Sequence, residues 1–104
     1  MPAMRTGLLC CAMLCVSACT FVKLAPGAKQ VLVLRAAPVG CEARGEVAVS
    51  VTHKVGFYER SETQVRDELE TLARNEAPAS AANRISPLGP AEDGNQRWAM
   101  WRCR

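Results

Sequence analysis

A chain of 104 residues, 22% of them charged and 49% apolar, accommodates one folded domain at most. Its formal charge of +3 comes from basic residues scattered singly, often beside acids as in Arg66-Asp67-Glu68, and this excludes a nucleic-acid-binding surface. Six cysteines suggest a disulfide scaffold or a metal cluster, and the choice depends on which of the six the mature protein keeps.

Residues 1–5 hold one positive charge, residues 7–16 are almost wholly apolar, and Ser17 and Ala18 supply small side chains. This is the order of a secretory signal peptide. The apolar run is about half the roughly 20 residues that a spanning helix needs. Cys10, Cys11 and Cys15 act within it as small hydrophobes. Val16-Ser17-Ala18-Cys19 resembles the lipobox of bacterial lipoproteins. The resemblance implies recognition of Val16, Ser17 and Ala18 by a signal peptidase, cleavage before Cys19, diacylglycerol on its thiol and a fatty acid such as palmitate on the new amino terminus. Two or three acyl chains anchor a protein stably to a bilayer without spanning it. Thr20, where an aspartate favours inner-membrane retention, implies the outer membrane with the domain facing the periplasm. The expected organisation is a removed signal peptide over residues 1–18, a lipidated N-terminus and tether over 19–30, and a domain over 31–104.

Pro26 and Gly27 break any regular element in the tether. Residues 31–36, VLVLRA, read as a buried strand. A loop with Pro38, Gly40 and Gly45 follows and carries Cys41. Residues 46–54 form the clearest strand, because Val47, Val49 and Val51 alternate with Ala48, Ser50 and Thr52. Ser61 and Gln64 have the spacing of a capping box. Val65, Leu69, Leu72 and Ala73 then recur at helical spacing, predicting a helix from Glu62 to about Ala77 that Pro78 closes. Ile85 and Leu88 suggest a short strand, which Pro87 assigns to an edge or an irregular position. Asp93-Gly94 marks a turn, and residues 96–103, QRWAMWRC, form the last strand. The predicted fold is a small two-layer α+β domain of about four strands with one helix on the sheet, ordered strand, strand, helix, strand, strand.

With Cys19 carrying lipid, Cys41 and Cys103 are the remaining pair, and an oxidising periplasm favours their disulfide. The alternative is a metal-binding or redox lipoprotein using Cys41, Cys103 and His53, although no C-x-x-C or H-x-x-x-H spacing supports it. No Gly-flanked nucleophile and no second base accompany His53, so an enzyme is not expected. No cofactor beyond the covalent lipid on Cys19, and no small-molecule substrate, is indicated. Phe57, Tyr58 and Trp101 either cover the small core or form a docking patch for an envelope protein partner.

From Ser17 onward the chain resembles a bacterial lipoprotein family known as domain of unknown function 4156. The resemblance is carried by SACTFVKLAPGAKQV, GEVAVSVTHKVGFYERSETQVRDELETLARNEA and PLGPAEDGNQRWAMWRC. That family is distantly similar to the lipoprotein sensor of the Rcs envelope-stress pathway. The resemblance implies location and a disulfide-held strand-and-helix fold, with no catalytic residues to carry over. One departure stands out. Where the family continues its helix into a Gly-Ala-Asn turn, this chain has Pro78 and then Ala81-Ala82-Asn83.

Overall fold

The computed structural model describes residues 22–55 and 58–104. Six strands and one helix follow in chain order: β1 (Leu32–Val33), β2 (Glu42–Ser50), β3 (Lys54–Val55), β4 (Tyr58–Glu59), α1 (Glu62–Glu76), β5 (Arg84–Pro87) and β6 (Asn95–Arg102). Four of the strands form a mixed sheet in the order β1-β5-β6-β2, and β3 and β4 make a separate hairpin. The domain is the two-layer α+β fold that the hydrophobic pattern predicts, with α1 against β2, β5 and β6. The hairpin adds two strands to the expected order.

The alternation in β2 turns Val47 and Val49 toward the helix, and the register places Val47 opposite Trp98 on β6. From α1 come Val65, Leu69 and Ala73, four residues apart on one stripe. Leu69 and Ile85 are completely buried at the centre of this core, and Trp98 and Met100 close it. Ser61 caps the helix as its spacing predicts, its hydroxyl accepting from the Gln64 N–H at 3.4 Å. The helix ends at Glu76, and residues Ala77–Ser80 tighten into a 3-10 turn with Pro78 in its first turn.

β2 begins and ends four residues earlier than the expected 46–54, taking in residues 42–45 of the expected loop, and two further strands depart from expectation. The predicted buried strand over 31–36 shrinks to two residues at the sheet edge, where Leu32 is 51% and Val33 37% exposed while Val31 just before them is buried. The strand carrying Pro87 lies inside the sheet, between β1 and β6. Proline explains both. Leu34 donates to the Ile85 carbonyl, and the next donor from β5 toward β1 would be residue 87, which has no N–H. The β1–β5 ladder stops there, so Pro87 has edge character although its strand does not.

A β-bulge interrupts the β2–β6 ladder. Ala43 pairs with Trp101 and Glu46 with Ala99, so Arg44 and Gly45 together oppose Met100. Gly45 takes φ 106° there. At the other end of β6, Asp93 and Gly94 adopt φ 50° and 76° in the predicted turn, bracketed by reciprocal backbone hydrogen bonds between Glu92 and Asn95.

The 3-10 turn closes with a Schellman arrangement, in which Ala82 donates to the Ala77 carbonyl and Ala81 to that of Pro78, both at 2.9 Å. Ala81 thereby holds φ 59°. A left-handed conformation costs a non-glycine residue about 1–2 kcal/mol, partly offset by the greater unfolded-state freedom of glycine. Ala81→Gly is therefore expected to stabilise the domain by about 0.5–1 kcal/mol. Thermal unfolding followed by circular dichroism checks this, and a lowered midpoint would contradict the strain at Ala81.

Candidate functional site

One end of the sheet carries the predicted cysteine pair and a set of side chains that bond to backbone groups around it. Glu42 faces Arg102 in the antiparallel register, so Cys41 and Cys103 occupy the next rung. They form a disulfide across a Cα–Cα distance of 4.6 Å, the spacing of a non-hydrogen-bonded antiparallel pair. Asn83 holds that rung in place. Its amide Nδ2 donates to the Cys103 carbonyl at 2.7 Å and its Oδ1 accepts from the Cys103 N–H at 2.8 Å, so one side chain replaces a missing strand partner. Two arginines reach over the adjoining 3-10 turn: Arg44 Nε donates to the Ser80 carbonyl at 2.9 Å, and Arg102 to that of Ala81 at 3.2 Å.

The segment before β1 is tied to the same end. Asn75, in the last turn of α1, accepts from the Ala25 N–H at 2.7 Å and donates to the Lys23 carbonyl at 2.9 Å. Arg74 donates to the carbonyls of Ala28 and Lys29. Ala28 is completely buried within a short 3-10 helix, Ala28–Gln30. Residues 23–30, expected as tether, are thus part of the folded domain.

The opposite end carries the hairpin. Arg60 Nη2 meets Glu68 Oε2 at 2.7 Å and Nη1 meets Oε1 at 3.1 Å, a bidentate pair in which both side chains are largely buried. Glu68 raises the pKa of the Arg60 guanidinium further above its ordinary value, mainly through this hydrogen bond. Arg60 also donates to the Thr52 carbonyl, which fastens the hairpin to α1. Close by, the His53 imidazole stands 4.0 Å from the exposed Asp93 carboxylate, a contact that contributes little in water.

The remaining predicted site residues are dispersed. Val16, Ser17, Ala18, Cys19 and Phe57 lie outside the described residues. Tyr58 is 69% exposed on the hairpin, whereas Trp101 is half-buried at the disulfide end, its indole N–H donating to Ser86 Oγ at 2.9 Å. The length of β2 from Ala43 to Ser50 separates those two ends by roughly 20 Å or more. Tyr58 and Trp101 therefore do not share a patch. The proposed metal set does not assemble either. Cys41 and Cys103 are joined to each other, and His53 lies beyond the far end of β2, roughly 30 Å along the strand at about 3.3 Å per residue. Among the described residues, no group of three or more His, Cys, Asp or Glu could hold a metal ion.

Sequence reasoning missed Asn75 and Asn83, whose contacts lie 52 and 20 residues away along the chain. Asn83 had one signal, its place just after a helix-terminating turn. Asn75 had none.

A family model described as domain of unknown function (DUF4156) matches residues 22–103. No curated protein and no solved structure matches the chain.

Removing the disulfide with a paired Cys41→Ser, Cys103→Ser variant frees a loop of 62 residues' separation, at an expected cost of about 4 kcal/mol in the chain-entropy model. Asn83→Ala leaves both backbone groups of Cys103 without their partner and is expected to cost about 1–3 kcal/mol. Urea titration of each variant measures both, and an Asn83→Ala midpoint equal to that of the parent would remove the clamp from the account.

Proposed function

The chain belongs to the DUF4156 family, and from that premise we propose that it is an outer-membrane-anchored periplasmic lipoprotein that acts by binding an envelope protein, in envelope sensing or maintenance. The observation that carries this reading is the position of Val16-Ser17-Ala18-Cys19. An acceptor cysteine and its cleavage box stand three residues ahead of residue 22, where the family match begins. The Cys41–Cys103 disulfide supports export, since such bonds persist in oxidising compartments. No helix among the described residues is long and apolar enough to cross a membrane. On this reading, attachment comes from acyl chains on Cys19.

Binding, rather than catalysis, is supported by how the polar side chains are used. Asn75, Asn83, Arg44 and Arg60 are all engaged with backbone groups or with a neighbouring carboxylate. What the domain offers to a partner is surface. Tyr58 is an exposed aromatic on the hairpin, and the half-buried Trp101 stands apart from it at the disulfide end.

Replacement of Cys19 by serine is expected to leave an uncut precursor without acyl chains, read as the intact mass of protein from membrane fractions. Replacement of Cys15 should change neither processing nor localisation, because it departs with the signal peptide. A processed, membrane-bound Cys19→Ser protein would end the lipoprotein reading. For the binding role, a photocrosslinker at position 58 should give a discrete adduct in intact cells. Absence of adducts from both 58 and 101 would remove its support.

A further inference from the structure

The fold decides which end of the domain can meet the bilayer. This inference rests on the lipid-anchor reading above. Only Thr20, Phe21 and Val22 separate Cys19 from Lys23, and Asn75 holds the Lys23 carbonyl. Four Cα steps at full extension cover at most about 14 Å. The leash ends at the last turn of α1, beside the disulfide, so that end of the domain stays closest to the acyl chains.

The same end is basic. Lys23, Lys29, Arg102 and Arg104 are exposed there, together with Arg44, Arg74 and Arg84, which are partly buried. Two acids stand among these seven basic residues, Glu42 and Glu76, and Glu42 is already paired with Arg44 at 3.2 Å. Over the rest of the described chain the balance reverses, with eight acidic side chains against five basic. A domain of small net charge is thus polarised along its length. Val39, 97% exposed and two residues before Cys41, adds an apolar side chain to the basic end.

We infer that this end docks on anionic lipid headgroups of the bilayer that holds the anchor, with the β3–β4 hairpin and Tyr58 turned away from the surface. The short leash supplies high local concentration and the basic residues supply attraction. Each basic side chain close to an anionic leaflet is worth roughly a fivefold gain in occupancy of the docked state. Salt weakens it by screening.

Lysine reactivity tests the orientation, because the mature chain has lysine only at positions 23, 29 and 54. Two lie at the docking end and the third on the hairpin. The purified acylated protein is reconstituted in vesicles of phosphatidylglycerol and phosphatidylcholine, or of phosphatidylcholine alone, and labelled with an amine-reactive reagent. On the anionic vesicles, labelling of Lys23 and Lys29 should fall about fivefold or more relative to Lys54. High salt or neutral lipid should restore much of it, as should a paired Arg102→Glu, Arg104→Glu variant that leaves all three reporters in place. Equal labelling of the three lysines on anionic vesicles would overturn the docking. Suppression that persists unchanged in that variant and at high salt would overturn its electrostatic basis. Intact mass reads acylation separately, so a chain without lipid that fails to sediment with neutral vesicles defeats the anchor reading instead.

Discussion

The alignment of β2 with β6 is the constraint on which the rest of the domain depends. A slip of one residue would turn Val47 and Val49 away from Trp98 and Met100 and take the contribution of β2 out of the core that α1 covers. The register is fixed at both ends. The Cys41–Cys103 bond sets it at one, with Asn83 holding the backbone of Cys103. At the other, Gly94 approaches β2 so closely that a Cβ there would run into the Val51 carbonyl, while the Val51 N–H donates to the Gly94 carbonyl at 2.8 Å. Between these points the bulge at Arg44-Gly45 absorbs one extra residue.

The parts of this fold that were legible in the sequence are those written as local pattern. The Val47 and Val49 alternation, the α1 stripe with its Ser61 cap and the Asp93-Gly94 turn each depend on residues within a few positions of one another; the helix and the turn formed where expected, and the strand formed with its bounds moved four residues toward Cys41. Elimination among six cysteines found the disulfide. The failures share a different cause. VLVLRA has the composition of a central strand, yet β1 is an edge strand of two residues, cut short where a proline on its neighbour ends their ladder. Pro87 carried an edge signal that holds for one residue, not for its strand. The expected tether is docked because Asn75 and Arg74, on the helix surface, turn out to face a segment about 50 residues earlier. Such pairings leave no period to read. Trp98 Nε1 is buried without an acceptor, and nothing in the structure explains it.

The two sheet edges are protected in different ways. β1 is too short to template another strand, and β2, which is long, carries Glu42, Arg44 and Glu46 along with its bulge. Charge and local twist oppose edge-to-edge pairing with a second copy. On the anchored reading this matters more than it would in solution, because neighbouring copies confined to one surface meet at high local density.

β6 lies between β5 and β2 although it comes last in the chain. No early-emerging pair of strands in the four-stranded sheet can stand alone, since β2 waits for residues 95–102 and β5 gains only the two residues of β1 without them. The long-range pairings make folding a late and collective event. During synthesis the four-stranded sheet therefore cannot assemble until its final strand is available, and on the lipoprotein reading a chain that delays its sheet in this way suits passage through a secretion channel before it becomes compact.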